Sequence, residues 1–526
     1  MESGLSDALK GSRASRGITV SEIAAMGEPV GVDVETTAAF VGRALRGPLN
    51  QPVLIGNFAE FRRRFGGVWH RSSLGPAVEQ FFEHGGRRAY VVRVANNALG
   101  AMICIPAHRG VLVLRALEPG STERIRAAVD YDGIPEDDRD RFNLTLQRLA
   151  PQSGLVVDQE IYSRLSCRAR DRSYIGTALA SSELAVPQLP LPVGRPLPTT
   201  GPGNRLDPGY VGHVQPGSDG SALMDYDLVG SAVAGIGLFA LDQVEDFDLL
   251  YLPRPGRNRD LGPAALLAAE LYCRQRGAML IMDPPSDWQT AADAVAGIRN
   301  AGYASPNILT YFPRLVTGIG ENAPPCAAGG AIAGLICKLD RRHSAWQAFD
   351  QAEMTFNRPL VPAVEVGADL APQLVREGIN VVAGLSNGQA ALYGSVTLAR
   401  NSQLSRQFGR LPDRRLCLTI TKAIERATRW AVFEPNEPRL ADRIQAQIHA
   451  YLSGLAAAGA FADDQFVVLC DAGLHADAVD PRRGITILLA FRPAGAAQAI
   501  SLTLHQTVSG CRVATTAFAP VHARCA

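Results

Sequence analysis

The sequence predicts a multidomain chain of α/β and α+β class. A parallel α/β domain is interrupted by a mostly β insertion and followed by a C-terminal α+β domain. Three observations carry this. Residues 228–340 alternate apolar strand-like runs with helical segments in β-α-β-α-β-α order, which requires a parallel sheet covered on both faces. Residues 98–186 lose that rhythm and show short apolar runs between polar turns. A chain of 526 residues also exceeds what one simple core organises.

Taken in order, residues 1–16 are polar and Arg-containing, which predicts disorder when the chain is free. Ile18 to Ile23, with Val20 between, alternates and predicts a strand, and Ala38–Gly42 a second, buried one. Asn57 caps a short helix, with Glu60 three residues on and Phe58, Phe61 and Phe65 apolar. Leu74, Val78, Phe81 and Phe82 form the apolar face of the next helix, which stops at Gly85-Gly86. Tyr90–Val94 reads as a strand. Within the insertion, Val111–Leu114 and Phe142–Leu146 are the clearest apolar runs.

Eight prolines and seven glycines between 187 and 220 predict a linker or long surface loop without regular structure. Beyond it, strands are expected at Phe247–Leu252, Ala278–Met282 and Ile308–Phe312. Helices are expected at Leu261–Arg276, Trp288–Asn300 and Ala327–Leu339. The C-terminal part opens with strands near 379–383 and 390–398, then two amphipathic helices. The first carries Leu416, Ile420, Ile424 and Ala427 with Asp413 as its cap. The second carries Leu440, Ile444, Ile448, Leu452 and Leu455, with Asn436 and Pro438 at its start and Gly459 at its end. Strands at Phe466–Cys470, Ile485–Phe491 and Ile500–His505 complete it.

Lys plus Arg number 52 and Asp plus Glu 51, so charge gives no argument for nucleic acid or an anionic membrane. The nine cysteines are scattered and never form C-x-x-C, which predicts buried reduced thiols made in a reducing cytoplasm. The N-terminus lacks a signal-peptide h-region, and no run of about 18 apolar residues predicts a membrane span.

Motifs for chemistry are fragments. Gly384-Leu-Ser-Asn-Gly388 matches G-x-S-x-G, but a nucleophile elbow needs a helix after Ser386, and Gln-Ala-Ala-Leu-Tyr reads as a strand. Asp283-Pro-Pro-Ser286 ends a parallel strand, where α/β folds bind ligands, yet no glycine-rich cofactor loop precedes it. Walker and dinucleotide loops are incomplete, and the nine histidines are dispersed without H-E-x-x-H. We therefore expect no catalytic, cofactor-binding or metal-binding residues.

Four regions resemble the contractile tail sheath proteins of phages and extracellular injection systems. The first is Thr37-Ala-Ala-Phe-Val-Gly-Arg-Ala44, Gly47-Pro-Leu-Asn-Gln-Pro52, Phe65-Gly-Gly67 and Gln80 to Val94. The second is Asp140 to Leu144 with Glu160 to Ser166, in the insertion. The third is Gly237 to Asp242 and Phe247, with Tyr272-Cys273 and Leu280 to Pro285. The fourth is Glu425 to Asn436, including Trp430 and Glu434-Pro435-Asn436, with Phe466 to Ala472. Departures occur at Arg16-Gly17, at Tyr393 to Thr397 and at Ser344 to Asp350, and residues 509–526 run past the family's last strand.

The resemblance implies a sheath-protein fold with exchangeable terminal strands. Its divisions are an N-terminal arm (1–24), the first part of the core (25–97), the inserted mostly β domain (98–186) and a Pro/Gly-rich linker (187–227). The α/β domain (228–358) and a C-terminal sheath domain with donated strands (359–526) follow. Its subunit-interface residues would be Ile18, Val20 and Ile23 in the arm, and Ile485, Ile487, Leu489, Ile500, Leu502 and Leu504 in the donated strands. It implies a structural, non-enzymatic subunit that stacks as hexameric rings around an inner tube protein and contracts. Baseplate and terminal cap proteins are the other implied partners, with no nucleic acid and no membrane insertion. Assembly would occur in the bacterial cytoplasm, and the product would be a phage tail or phage-tail-like particle. Two alternatives stand beside it: a transferase-type enzyme acting near Asp283, and a non-contracting sheath-like baseplate or cap component.

Overall fold

A computed structural model of the chain describes residues 35–199, 209–256, 259–317, 325–348, 352–357, 360–386, 388–399, 407–433, 438–470, 484–507 and 510–514. The strand expected at 18–23 and the Glu434-Pro435-Asn436 step lie outside these residues.

Strand β1 (Ala38–Gly42) is wholly buried, and β2 (Pro52–Ile55) leads into α1 (Phe58–Phe65). Asn57 starts α1: its side-chain oxygen accepts the Glu60 N–H at 2.8 Å, and the Glu60 carboxylate accepts Gly56 N–H at 3.0 Å. After α2 (Leu74–Glu83) and β3 (Ala89–Arg93) the chain enters the insertion. This comprises β4 (Gly100–Arg109), β5 (Val111–Pro119), β6 (Ile125–Asp130), β7 (Arg141–Leu149), β8 (Val156–Ser166), β9 (Ala185–Pro187), β10 (Val193–Pro196) and β11 (Val211–Gly212). They form two four-stranded sheets, β10-β4-β5-β9 and β11-β6-β7-β8, closed over one apolar cluster that includes Ile103, Leu114, Val129 and Leu144.

The expectation that the Pro/Gly-rich stretch lacks regular structure is corrected by β10 and β11. Both are edge strands, where a proline's missing N–H need not face a partner.

The chain returns through β12 (Leu249–Tyr251), α3 (Pro263–Arg276), β13 (Met279–Met282), α4 (Ala291–Ala301), β14 (Ile308–Phe312) and α5 (Gly329–Arg342). The hairpin β15 (Asn380–Gly384) and β16 (Ala390–Tyr393) completes an eight-stranded sheet of order β2-β3-β1-β12-β13-β14-β15-β16. It is parallel from β3 to β15 and antiparallel only at its two outer pairs. Alternate side chains of each strand fall to opposite faces. Ala38, Phe40 and Tyr251 pack under α1, α2 and α5, while Ala39, Val41 and Leu250 pack under α3 and α4. Helix α4 begins three residues later than expected from Trp288, because Thr290 and Asp293 form a reciprocal capping box there.

Helices α2 and α5 touch backbone to backbone. A Cβ on Gly330 would lie 2.1 Å from the Ala77 carbonyl oxygen, and one on Gly334 2.4 Å from that of Phe81. Gly330→Ala is therefore expected to lower the melting temperature, although alanine favours a helix by about 1 kcal/mol. A melting temperature at or above the parent's would refute this packing.

Candidate subunit interface

The C-terminal unit follows: α6 (Leu411–Thr428), α7 (Pro438–Ala457), β17 (Phe461–Leu469), β18 (Gly484–Pro493), β19 (Ile500–Thr507) and β20 (Gly510–Ala514). The strands form an antiparallel sheet in sequence order. Asp413 does not cap α6. The cap position is Arg410, and Asp413 pairs with its guanidinium at 3.1 Å.

Leu416, Ile420, Ile424, Ile444, Ile448 and Leu452 of the helices meet the sheet's inner face in one cluster. Ile485, Ile487, Leu489, Ile500, Leu502 and Leu504 all belong to this cluster, none more than 4% exposed. Their strands, β18 and β19, are paired along both edges within the chain. Donating either to another subunit would first break two ladders. The backbone edges of this sheet belong to β17 and β20, and an edge is what a further strand adds to. Ile18, Val20 and Ile23 lie outside the described residues.

Helix α6 is also the joint to the large sheet. Its charged side meets acids at the amino ends of the parallel strands. Arg415 donates Nη1 to Asp340 at 2.7 Å and Nη2 to the other oxygen of the same carboxylate, which also accepts the Thr36 hydroxyl. Lys422 bonds Asp246 at 2.6 Å, Asp248 at 2.9 Å and the Phe247 carbonyl at 2.6 Å. Asp248 in turn accepts Thr37 N–H at 2.9 Å. Burial alone would lower the pKa of Lys422, but Asp248 and Asp246 outweigh it and hold the ammonium above its usual range. The root of the N-terminal segment, the large sheet and the C-terminal unit therefore meet at one ionic knot. Nothing local marks it: Arg415 and Asp340 stand 75 residues apart.

The residues weighed for chemistry are placed otherwise. Ser386 is exposed in the turn of the β15–β16 hairpin, with Gly384 opposite Ala390 and no helix following. That geometry is not a nucleophile elbow. Asp283 is engaged inside the fold, accepting the Tyr251 hydroxyl at 2.5 Å and Gly329 N–H at 3.2 Å, so it serves the amino end of α5. Among the described residues no three His, Cys, Asp or Glu side chains cluster as metal ligands, and no helix is long and apolar enough to cross a membrane. Cys104, Cys167, Cys273, Cys326, Cys337, Cys417 and Cys470 are free thiols.

No protein-family model matches the chain. A tail sheath protein of Vibrio phage KVP40 is 29% identical over 183 residues, 34% of this chain. The match spans about a quarter (26%) of that relative's length. A solved sheath tail protein of Listeria innocua superposes with a TM-score of 0.58 at 13% identity, covering 90% of this chain and 95% of that one. The chain has the tail-sheath fold. The sheath of the extracellular contractile injection system PVC, solved in its contracted state, agrees over 92% of this chain and 95% of its own at 14% identity, with a TM-score of 0.52. The resemblance to sheath proteins is borne out at the level of the fold.

Proposed function

We propose that this chain is a structural, non-enzymatic subunit of a contractile sheath. It polymerises as stacked hexameric rings around an inner tube protein, between a baseplate and a terminal cap. Contraction then drives the tube through a target envelope. The observation that carries this is the extent of the likeness: 90% of this chain aligns with 95% of a sheath protein in one superposition. In this reading residues 1–24 are an arm that adds a strand to a neighbour's sheet, and the C-terminal domain (359–526) receives or donates strands at its edges. Strand addition satisfies backbone donors and acceptors that an edge leaves open. The knot around Asp340 and Asp248 ties Thr36 and Thr37, just ahead of β1, to α6. The extended lattice is metastable and shortens when released. Assembly takes place in the bacterial cytoplasm, and the product is a phage tail or phage-tail-like particle.

Negative-stain electron microscopy of the purified chain, beside a variant lacking residues 1–24, tests this. Striated cylinders are expected from the full chain and not from the truncated one. Uniform compact particles from both would defeat the proposal.

A further inference from the structure

The carboxyl ends of β12, β13 and β14 open with the start of α2 onto a cleft of about 1010 Å³. It lies where the sheet's connections diverge, β1 having β3 on one side and β12 on the other. In open α/β sheets the loops part at that point and leave room for a ligand.

Two guanidiniums line the cleft. Arg314, with a side chain only 9% exposed, donates Nε to the Pro284 carbonyl at 2.8 Å and Nη2 to Asp260 at 2.6 Å. Its Nη1 bonds no protein atom among the described residues. Arg254 is 14% exposed, and its nearest acid is the same Asp260, at 3.8 Å. Its Nε is fully covered and has no hydrogen-bond partner among the described residues. Among the described residues, Asp260 is the one carboxylate within ion-pair distance of both guanidiniums. Asp283, also at this end, is engaged with Tyr251 and Gly329; burial raises its pKa, and the nearby Arg314 and Arg254 act in the opposite direction. Trp69 and Trp288, both nearly buried, supply apolar wall.

A covered N–H donor without an acceptor is costly, the more so on a charged group. A guanidinium's planar fork is matched by the paired oxygens of a carboxylate or phosphate. We propose that this cleft binds a small organic oxyanion, its carboxylate or phosphate head held by Arg254 and Arg314 and its body against Trp69 and Trp288. The bound anion would brace α2 against the ends of three strands, at the opposite end of the sheet from the α6 knot. This holds whether or not the chain forms a sheath.

The test uses the full, unassembled chain at fixed ionic strength. Inorganic pyrophosphate and, separately, citrate are titrated in while tryptophan emission and melting temperature are followed. Saturable one-to-one binding of at least one anion, with a rise in melting temperature, is expected. Preference for pyrophosphate assigns a phosphate head, and preference for citrate a carboxylate. Arg254→Gln should weaken binding by roughly ten- to a hundredfold. It should leave the unliganded melting temperature unchanged or raised, because Arg254 donates no hydrogen bond among the described residues and its one ion pair, to Asp260 at 3.8 Å, is long, while Asp260 keeps its closer pair with Arg314. Failure to bind either anion, or equal binding by Arg254→Gln, overturns the proposal. So does a variant that weakens binding only in step with a fall in its own unliganded stability, because Arg254 would then be structural.

Discussion

Replacing Arg415 with methionine is expected to cost about 3–5 kcal/mol of folding free energy, the usual penalty for leaving one member of a buried ion pair uncompensated. The Arg415 side chain is 6% exposed and that of Asp340 4%, so water cannot take over the lost partner. Burial works against the charge on Arg415, yet Asp340 outweighs it and holds the pKa above its usual range. Asp340 also accepts the Thr36 hydroxyl, so the loss would loosen the start of β1 as well as α6. The double variant Arg415→Met with Asp340→Leu should recover most of the loss, because two apolar groups of similar volume replace a pair whose desolvation had offset much of its attraction. Urea unfolding of the parent, both single variants and the double variant at pH 7 measures this. A single-variant loss below about 1 kcal/mol would show that the pair behaves as a solvated one and does not hold the joint.

The second large effect is at Arg93. This residue ends β3, where the chain leaves the large sheet for the insertion, and is 2% exposed. Its guanidinium donates to four backbone carbonyls: Gly47 at 2.6 Å, Pro119 at 2.6 Å, Ala44 at 3.1 Å and Leu45 at 3.4 Å. Three of these belong to the loop after β1 and the fourth closes β5, so one side chain staples the insertion to the core. Burial pulls its pKa down to about 10, against Glu118 and Asp219, which leaves it protonated at neutral pH. Arg93→Leu removes every donor at once. With about 1–3 kcal/mol lost per orphaned carbonyl, the total is expected to exceed about 3 kcal/mol. Arg93→Lys should recover only part, because an ammonium offers three donors on a single atom and cannot span the same four oxygens. The loss should be visible as faster limited proteolysis at the connections near 95–99 and 217–222, alongside a lower melting temperature. Unchanged cleavage there would mean that the insertion is held by its strand pairings alone.

Neither arginine was legible as important. In the sequence Arg93 sits in a strand-like run, and Arg415 is half of one of several arginine pairs. The apolar helix faces were legible, because side chains 3 and 4 apart in sequence share a face whatever the rest of the chain does. The Leu416–Ile420–Ile424 stripe of α6 and the Leu440–Leu455 stripe of α7 accordingly lie in one core. The short strands β10 and β11 were not legible, because prolines and glycines argue locally against a strand. Only pairing with β4 and β6 makes strands of them.

The alternation of Ile485, Ile487 and Leu489 shows the limit of local reading. It states that one face of the strand is apolar, but not whether helices of the same chain or of a neighbour will cover it. By itself the sequence determined the order of elements, the parallel α/β core, the β insertion and the resemblance to sheath proteins, since these rest on period and on short contiguous motifs. Tertiary structure alone decided which strands became edges, which acids met α6, and that Arg254 and Arg314 would share a single carboxylate across a cleft. Those outcomes depend on contacts between residues tens to hundreds of positions apart. Such contacts form only once loops have closed, and local periodicity carries no record of which loops will close.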